Sequence, residues 1–150
     1  MKKKKSKETK TYLLKEIRKL KKKCLKLWSE NVRWRSGYRC AFCGSTEYLH
    51  SHHIEDVRLC PALRYEPRNG ICLCARHHKF GRGSAHKSFI AMYTYMTTKR
   101  VSDLTYLLEH RNDKVLEYEY GAQSTIAQLN ILKEYLVTKI GELRNEWERR

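Results

Sequence analysis

The chain has 150 residues and 18.0 kDa, with 32 Lys/Arg against 16 Asp/Glu and a net charge of +16. That length suits one domain with a modest core and helical extensions, and argues against two independent domains. No run approaches the roughly 20 apolar residues that span a bilayer, and the opening MKKKKSKETK lacks the apolar stretch of a secretory signal or any lipidation signal.

The expectation is therefore a soluble cytoplasmic protein with no membrane partner. Its charge is unevenly spread. Residues 1–39 hold sixteen Lys/Arg against three Glu, residues 40–100 nine against four, and residues 101–150 seven against nine, so the three segments carry +13, +5 and −2. A basic end joined to a mildly basic middle is the footprint of a polyanion binder, most simply of a phosphate backbone; a solubilising tail is the plainer alternative.

Residues 1–10 have almost nothing to bury and are expected to form a disordered basic tail. Residues 11–38 are expected to form a basic amphipathic helix ending near Trp34. Its stripe of Leu13, Ile17, Leu20, Cys24 and Leu27 recurs at steps of four, three, four and three. Lys19, Lys21, Lys22, Lys23 and Lys26 lie around the rest, either as a solvated face or, with Lys22 and Lys23 foremost, as one that faces DNA.

Residues 39–100 carry the chemistry. "CAFC" at 40–43 and "CARH" at 74–77 each place two metal-type ligands three residues apart. Together Cys40, Cys43, Cys74 and His77 can close one tetrahedral structural Zn²⁺, since thiolate and imidazole suit that ion and Gly44 lets the first knuckle fold back. Cys24, Cys60 and Cys72 fall outside the spacing and are expected to be structural thiols.

Residues 101–150 are expected to be helical. Ser102 with Asp103 would cap a segment bearing Leu104, Leu107, Leu108 and Val115, and Gly121 would break it. A last helix from about Ala122 would align Leu129, Leu132, Leu136, Ile140, Leu143 and Trp147 for core packing or helix pairing, within the chain or between chains.

If His77 belongs to the zinc, "HSHHI" at 50–54 and His78 still need an explanation. From about Arg39 to Lys79 the chain resembles the HNH nucleases of the ββα-metal type, through C-A-F-C-G, H-H-I, L-R-Y-E-P-R-N-G-I-C-L-C and A-R-H-H-K. A looser likeness, in the basic lead-in, "GRGSAHKSF" and helical tail, is to phage recombination nucleases of the NinG type.

The resemblance implies an α+β fold, with a zinc-stabilised ββα core between a basic helix and C-terminal helices. It implies a metal-dependent DNA endonuclease, phage-encoded and working in the host cytoplasm, with branched or flap DNA as candidate partners. His53 would be the general base, and His52 and His78 would hold a catalytic divalent metal, Mg²⁺ or Mn²⁺, with Ni²⁺ or Zn²⁺ as further options. Asn69 would tie down the loop and help orient His53. A fourth cysteine is usual where this chain has His77.

Blander readings stand beside these. Adjacent strand residues point to opposite faces, which separates His52 from His53 unless the strand ends there, as Pro61 and the turn signals after it allow. Asn69-Gly70 is a common turn pair. His50 is expected at the surface, and His86 is either a helix-start residue or a phosphate contact. Arg58, Arg64, Arg68, Lys79, Arg82 and Lys87 suit phosphate positioning or simple solvation. The alternatives to a nuclease are a non-catalytic zinc DNA-binding module and a protein whose acidic last helices bind another protein.

Overall fold

The computed structural model describes the backbone of residues 2–113 and 121–149, and side chains from 9 to 113 and 125 to 149. Helix α1 (Lys2–Arg35) leads into a knuckle, strand β1 (Leu49–His53), two short 3-10 turns (Pro61–Tyr65 and Pro67–Asn69) and strand β2 (Gly70–Cys74). A single π-type turn (Arg76–Phe80) follows, then α2 (Phe89–Lys99), α3 (Val101–His110) and α4 (Gly121–Glu148). The architecture is α+β, with one two-stranded antiparallel sheet. No described helix is long and apolar enough to cross a membrane.

The α1 helix begins nine residues before the expected Thr11, so the lysine-rich segment continues the helix instead of forming a disordered tail; lysine is a good helix former, and the segment contains no Pro or Gly. Its apolar stripe packs on α4. Cys24, Leu129 and Leu136 are buried together, flanked by Ile17, Leu20, Leu27 and Leu132. The Leu129, Leu132 and Leu136 part of the α4 stripe is thus covered by α1 of the same chain, while Trp147 at its far end is exposed. Asn31 crosses the seam, its Nδ2 donating to the Leu136 carbonyl at 2.9 Å.

Strand β2 is buried along its whole length because both faces of the hairpin are covered. On one face, Trp28 and Val32 of α1 pack on Cys72 and approach Gly70 closely. On the other, Ile71 and Leu73 join Leu63, Met92, Met96 and Leu107. This core takes in α3, so it runs across the boundary expected at residue 100. The register pairs His52 with Ile71 and His53 with Gly70.

Two expectations change around α3. Ser102 and Asp103 do not cap it, since Arg100 takes the N-cap position with no side-chain cap. Asp103 is buried within the first turn and draws in three guanidinium groups: Arg100 Nε at 2.7 Å, Arg35 Nη2 at 3.0 Å and Arg68 Nε at 3.9 Å. A carboxylate so placed ties α1, the loop before β2 and α3 together. Val115 lies outside the described residues.

A methyl group at Gly70 would overlap Val32 and crowd Trp28. Gly70→Ala is therefore expected to destabilise the fold by about 1–3 kcal/mol, the usual cost of overpacking. Val32→Ala in the same chain should recover part of that loss. Urea denaturation of the single and double variants measures both effects.

Candidate functional site

Gly44, with φ +74°, turns the first knuckle back so that its N–H donates to the Cys40 carbonyl at 2.8 Å. The Ala41 N–H donates to the Cys72 carbonyl at 2.9 Å, which fixes the knuckle to β2. Strand β2 ends at Cys74, and the π-type turn brings His77 back over it. The ligand atoms of Cys40, Cys43, Cys74 and His77 all lie within 4.8 Å of one another. Cys74 Sγ is 3.3 Å and Cys40 Sγ 3.6 Å from His77 Nδ1, and Cys43 Sγ is 3.9 Å from Cys74 Sγ. Ligand-to-ligand edges of about 3.3–3.8 Å are what a tetrahedral ion with thiolate and imidazole ligands requires. The group could hold a structural metal ion.

Burial opposes ionisation of the Cys40 thiol, but backbone N–H groups from Cys74, Phe42 and Cys43 outweigh it and hold its pKa below the ordinary value. Proton loss from Cys40 on metal binding is thereby made easier, while at Cys43 a backbone hydrogen bond from Ser45 is outweighed by desolvation and the neighbouring thiols, which shift it the other way.

His78, one residue after His77, points to a second cluster. Its Nε2 is 3.3 Å from His86 Nε2, and its ring centroid is 5.2 Å from that of His52. The ligand nitrogens of His52, His78 and His86 lie within 4.8 Å of one another. His86 gets there because the loop folds back along the turn, with Ala85 N–H donating to the His77 carbonyl and His86 N–H to the His78 carbonyl. Exposed His50 stacks on His78 with ring centroids 5.0 Å apart.

Of these imidazoles, His52 and His78 are pushed toward the neutral, metal-binding form. Burial, then the positive charge that His78 and His86 would carry, lowers the pKa of His52 to about 4. Burial, then His86 and His50, lowers that of His78.

His53 has different company. Its ring lies flat on Trp28, centroids 3.8 Å apart at an interplanar angle of 6°, and its Nε2 is 2.9 Å from the Arg64 carbonyl oxygen. A carbonyl only accepts, so Nε2 carries the proton and Nδ1 keeps its lone pair. Burial lowers the His53 pKa, against the pull of that hydrogen bond.

Asn69 is fully buried and acts on the loop. Its Oδ1 accepts from Glu55 N–H at 2.7 Å, and its Nδ2 donates to the carbonyls of Glu55 and Leu63. It is a positioning residue: it holds the turn whose next carbonyl, that of Arg64, meets His53.

The basic residues divide. Arg58 is exposed and hydrogen-bonded to Asp56, with Nη2 2.6 Å from Oδ2. Arg64 Nη2 donates to the Val57 carbonyl at 3.4 Å, and Arg68 lies over Tyr106 and beside Asp103. Lys79, Arg82 and Lys87 are exposed in the turn and loop that carry His78 and His86, while Lys22 and Lys23 line a shallow groove on α1 with Lys19 and Lys26.

Sequence reasoning left His86 undecided and missed Trp28. The loop reversal that delivers His86 has no local motif. Trp28 sits just off the expected α1 stripe, one position after Leu27, which was the available signal. No protein-family model matches the chain, and neither a curated protein nor a solved structure matches it significantly.

Two outcomes follow for stability. Cys40→Ala or prolonged chelation should abolish the cooperative thermal transition seen by circular dichroism, because the knuckle, β2 and the π-type turn lose their common anchor. A chelated protein with an unchanged transition would contradict this. Acid should also destabilise the fold through His52. The unfolded chain takes up that proton near about 6.5 and the folded chain only at about 4, so stability falls as pH drops between those values and this group adds nothing below them. His52→Gln should flatten that part of a plot of urea midpoint against pH.

Proposed function

We propose that this protein is a metal-dependent DNA endonuclease of the HNH, ββα-metal type. The structural ion of the Cys40, Cys43, Cys74 and His77 group is taken as Zn²⁺, and the second metal as a divalent ion held by His52, His78 and His86. The observation that carries the reading is the meeting of those three imidazoles beside the hairpin, on a chain of net charge +16. An all-nitrogen ligand set accepts Mn²⁺, Ni²⁺ or Zn²⁺ readily; Mg²⁺ would need oxygen ligands from water and phosphate.

When bound, the divalent ion supplies positive charge against the phosphate oxygens and a Lewis acid for the leaving oxygen. The chain's own residues do the rest. His53 takes a proton from water at Nδ1 while the Arg64 carbonyl keeps Nε2–H in place and stabilises the imidazolium. The water oxygen bonds to phosphorus as the bond to the 3′ oxygen breaks, leaving 5′-phosphate and 3′-hydroxyl ends. Lys79, Arg82 and Lys87 hold neighbouring phosphates. Branched or flap DNA and a phage origin remain part of this reading, resting on the likeness of residues 39–79 and of the flanking layout.

A second reading, a non-catalytic zinc DNA-binding module, has one observation in its favour. His53 stacks under α1, whereas His52 faces His78 and His86 across the alternation of β1.

Nicking of supercoiled plasmid in Mn²⁺ and in Mg²⁺ separates the two. His53→Ala is expected to lower the rate by about 10²–10⁴ with DNA affinity and folding intact. His78→Ala and His86→Ala should also lose cleavage, and raising Mn²⁺ should restore part of it for them but not for His53→Ala. His50→Ala should be mild. Wild-type nicking by His53→Ala would sink the mechanism, and a wild-type protein that binds DNA without cutting it would favour the module.

A further inference from the structure

From Pro67 to Ser102 the chain has no Asp or Glu and seven Lys/Arg. On this acid-free stretch the large apolar side chains of Phe80, Phe89, Ile90 and Tyr93 face solvent, at 72%, 78%, 74% and 54% exposure. α2 turns its other side inward through Met92 and Met96, and Ser88 caps its start by accepting from Ala91 N–H. The outer face therefore presents Phe89 and Tyr93, one turn apart, with rings 5.7 Å between centroids and inclined by 27°. Lys87 Nζ donates to the Phe80 carbonyl at 3.1 Å, which joins the π-type turn to the start of α2.

We propose that Phe80, Phe89 and Tyr93 form a stacking platform for unpaired bases of a nucleic-acid strand that passes the His52, His78 and His86 cluster. The proposal rests on the nucleic-acid reading above and narrows its substrate to strands with exposed bases. Three features favour this occupant. Exposed rings cost solvation unless something flat and apolar covers them, and a base offers such a face whatever its identity. The flanking Lys79, Arg82 and Lys87, with no carboxylate in the stretch, match a strand of phosphates. Phe80 follows His78 by two residues and Phe89 follows His86 by three, so their Cα atoms are at most about 7 and 11 Å from those of the histidines. Bases in an intact duplex keep their faces stacked on one another and cannot use these rings; gapped, flapped or single strands can.

The test is the anisotropy of a labelled short oligothymidine strand and of a labelled duplex, titrated with the full chain in buffer without added divalent metal. Phe80→Ala with Phe89→Ala should weaken binding to the single strand about tenfold or more and to the duplex less than twofold. Phe89→Tyr, which keeps the ring, should leave single-strand binding near wild type, as should Ile131→Ala, an exposed apolar residue on α4.

Equal losses on strand and duplex would overturn the proposal. So would no loss, or a concentration-dependent dimer that the double variant abolishes while strand affinity stays unchanged, which would assign the face to a second copy of the chain. Because no cleavage is involved, a protein that never cuts DNA can still show the selective loss, and one that cuts can fail to show it.

Discussion

The 3.3 Å contact between Cys74 Sγ and His77 Nδ1 sets the geometry of the turn that follows the hairpin and of both histidine-bearing groups beside it. It closes the π-type turn on the end of β2, and with Cys40 and Cys43 it gathers four ligands from two distant parts of the chain. Three sulfur atoms so close together repel once ionised, so the arrangement needs a cation at its centre to persist with thiolates. His77 and His78 are adjacent, yet their rings serve different groups. The wide turn, closed by Gly81 N–H on the Arg76 carbonyl at 2.7 Å, makes that division possible. Any loss of the Cys/His group therefore displaces His78 as well.

A second clamp acts from the other face of the sheet. Trp28 stacks on His53 and donates its indole N–H to the Glu66 carbonyl at 2.9 Å. Glu66 in turn accepts from Arg68 N–H at 2.9 Å and from the Tyr106 hydroxyl at 3.3 Å. The connection between the two strands is thereby pinned to α1 and α3 while Asn69 pins it from within. The histidine at its edge has one ring face and one nitrogen committed, and the other nitrogen left with a lone pair.

The parts legible in the sequence were those governed by spacing. Paired ligands three residues apart announced the Cys/His group, and steps of three and four announced α1 and α4. Helix α2 was not legible, because Tyr93, Thr94, Tyr95, Thr97 and Thr98 have weak helix propensity and the segment depends on its Ser88 cap and on burial of Met92 and Met96. Asp103 looked like a cap because acidic residues favour helix starts, but three guanidinium groups compete for it. The place of His86 depends on a backbone reversal, and that of Trp28 on tertiary packing; neither leaves a periodic trace.

The pairing of α1 with α4 joins the two ends of the sequence, with Cys24 against Leu129 and Asn31 bonded to Leu136, each 105 residues apart. During synthesis the α1 side of the seam emerges 105 residues before its α4 partner. At about 5–20 residues per second the apolar stripe of α1 waits roughly 5–20 seconds for α4. The lysines that accompany that stripe carry like charges, and like charges oppose association of chains whose apolar stripe is still bare. A variant that neutralised them would leave the ribosome with an exposed apolar helix and little to keep it soluble.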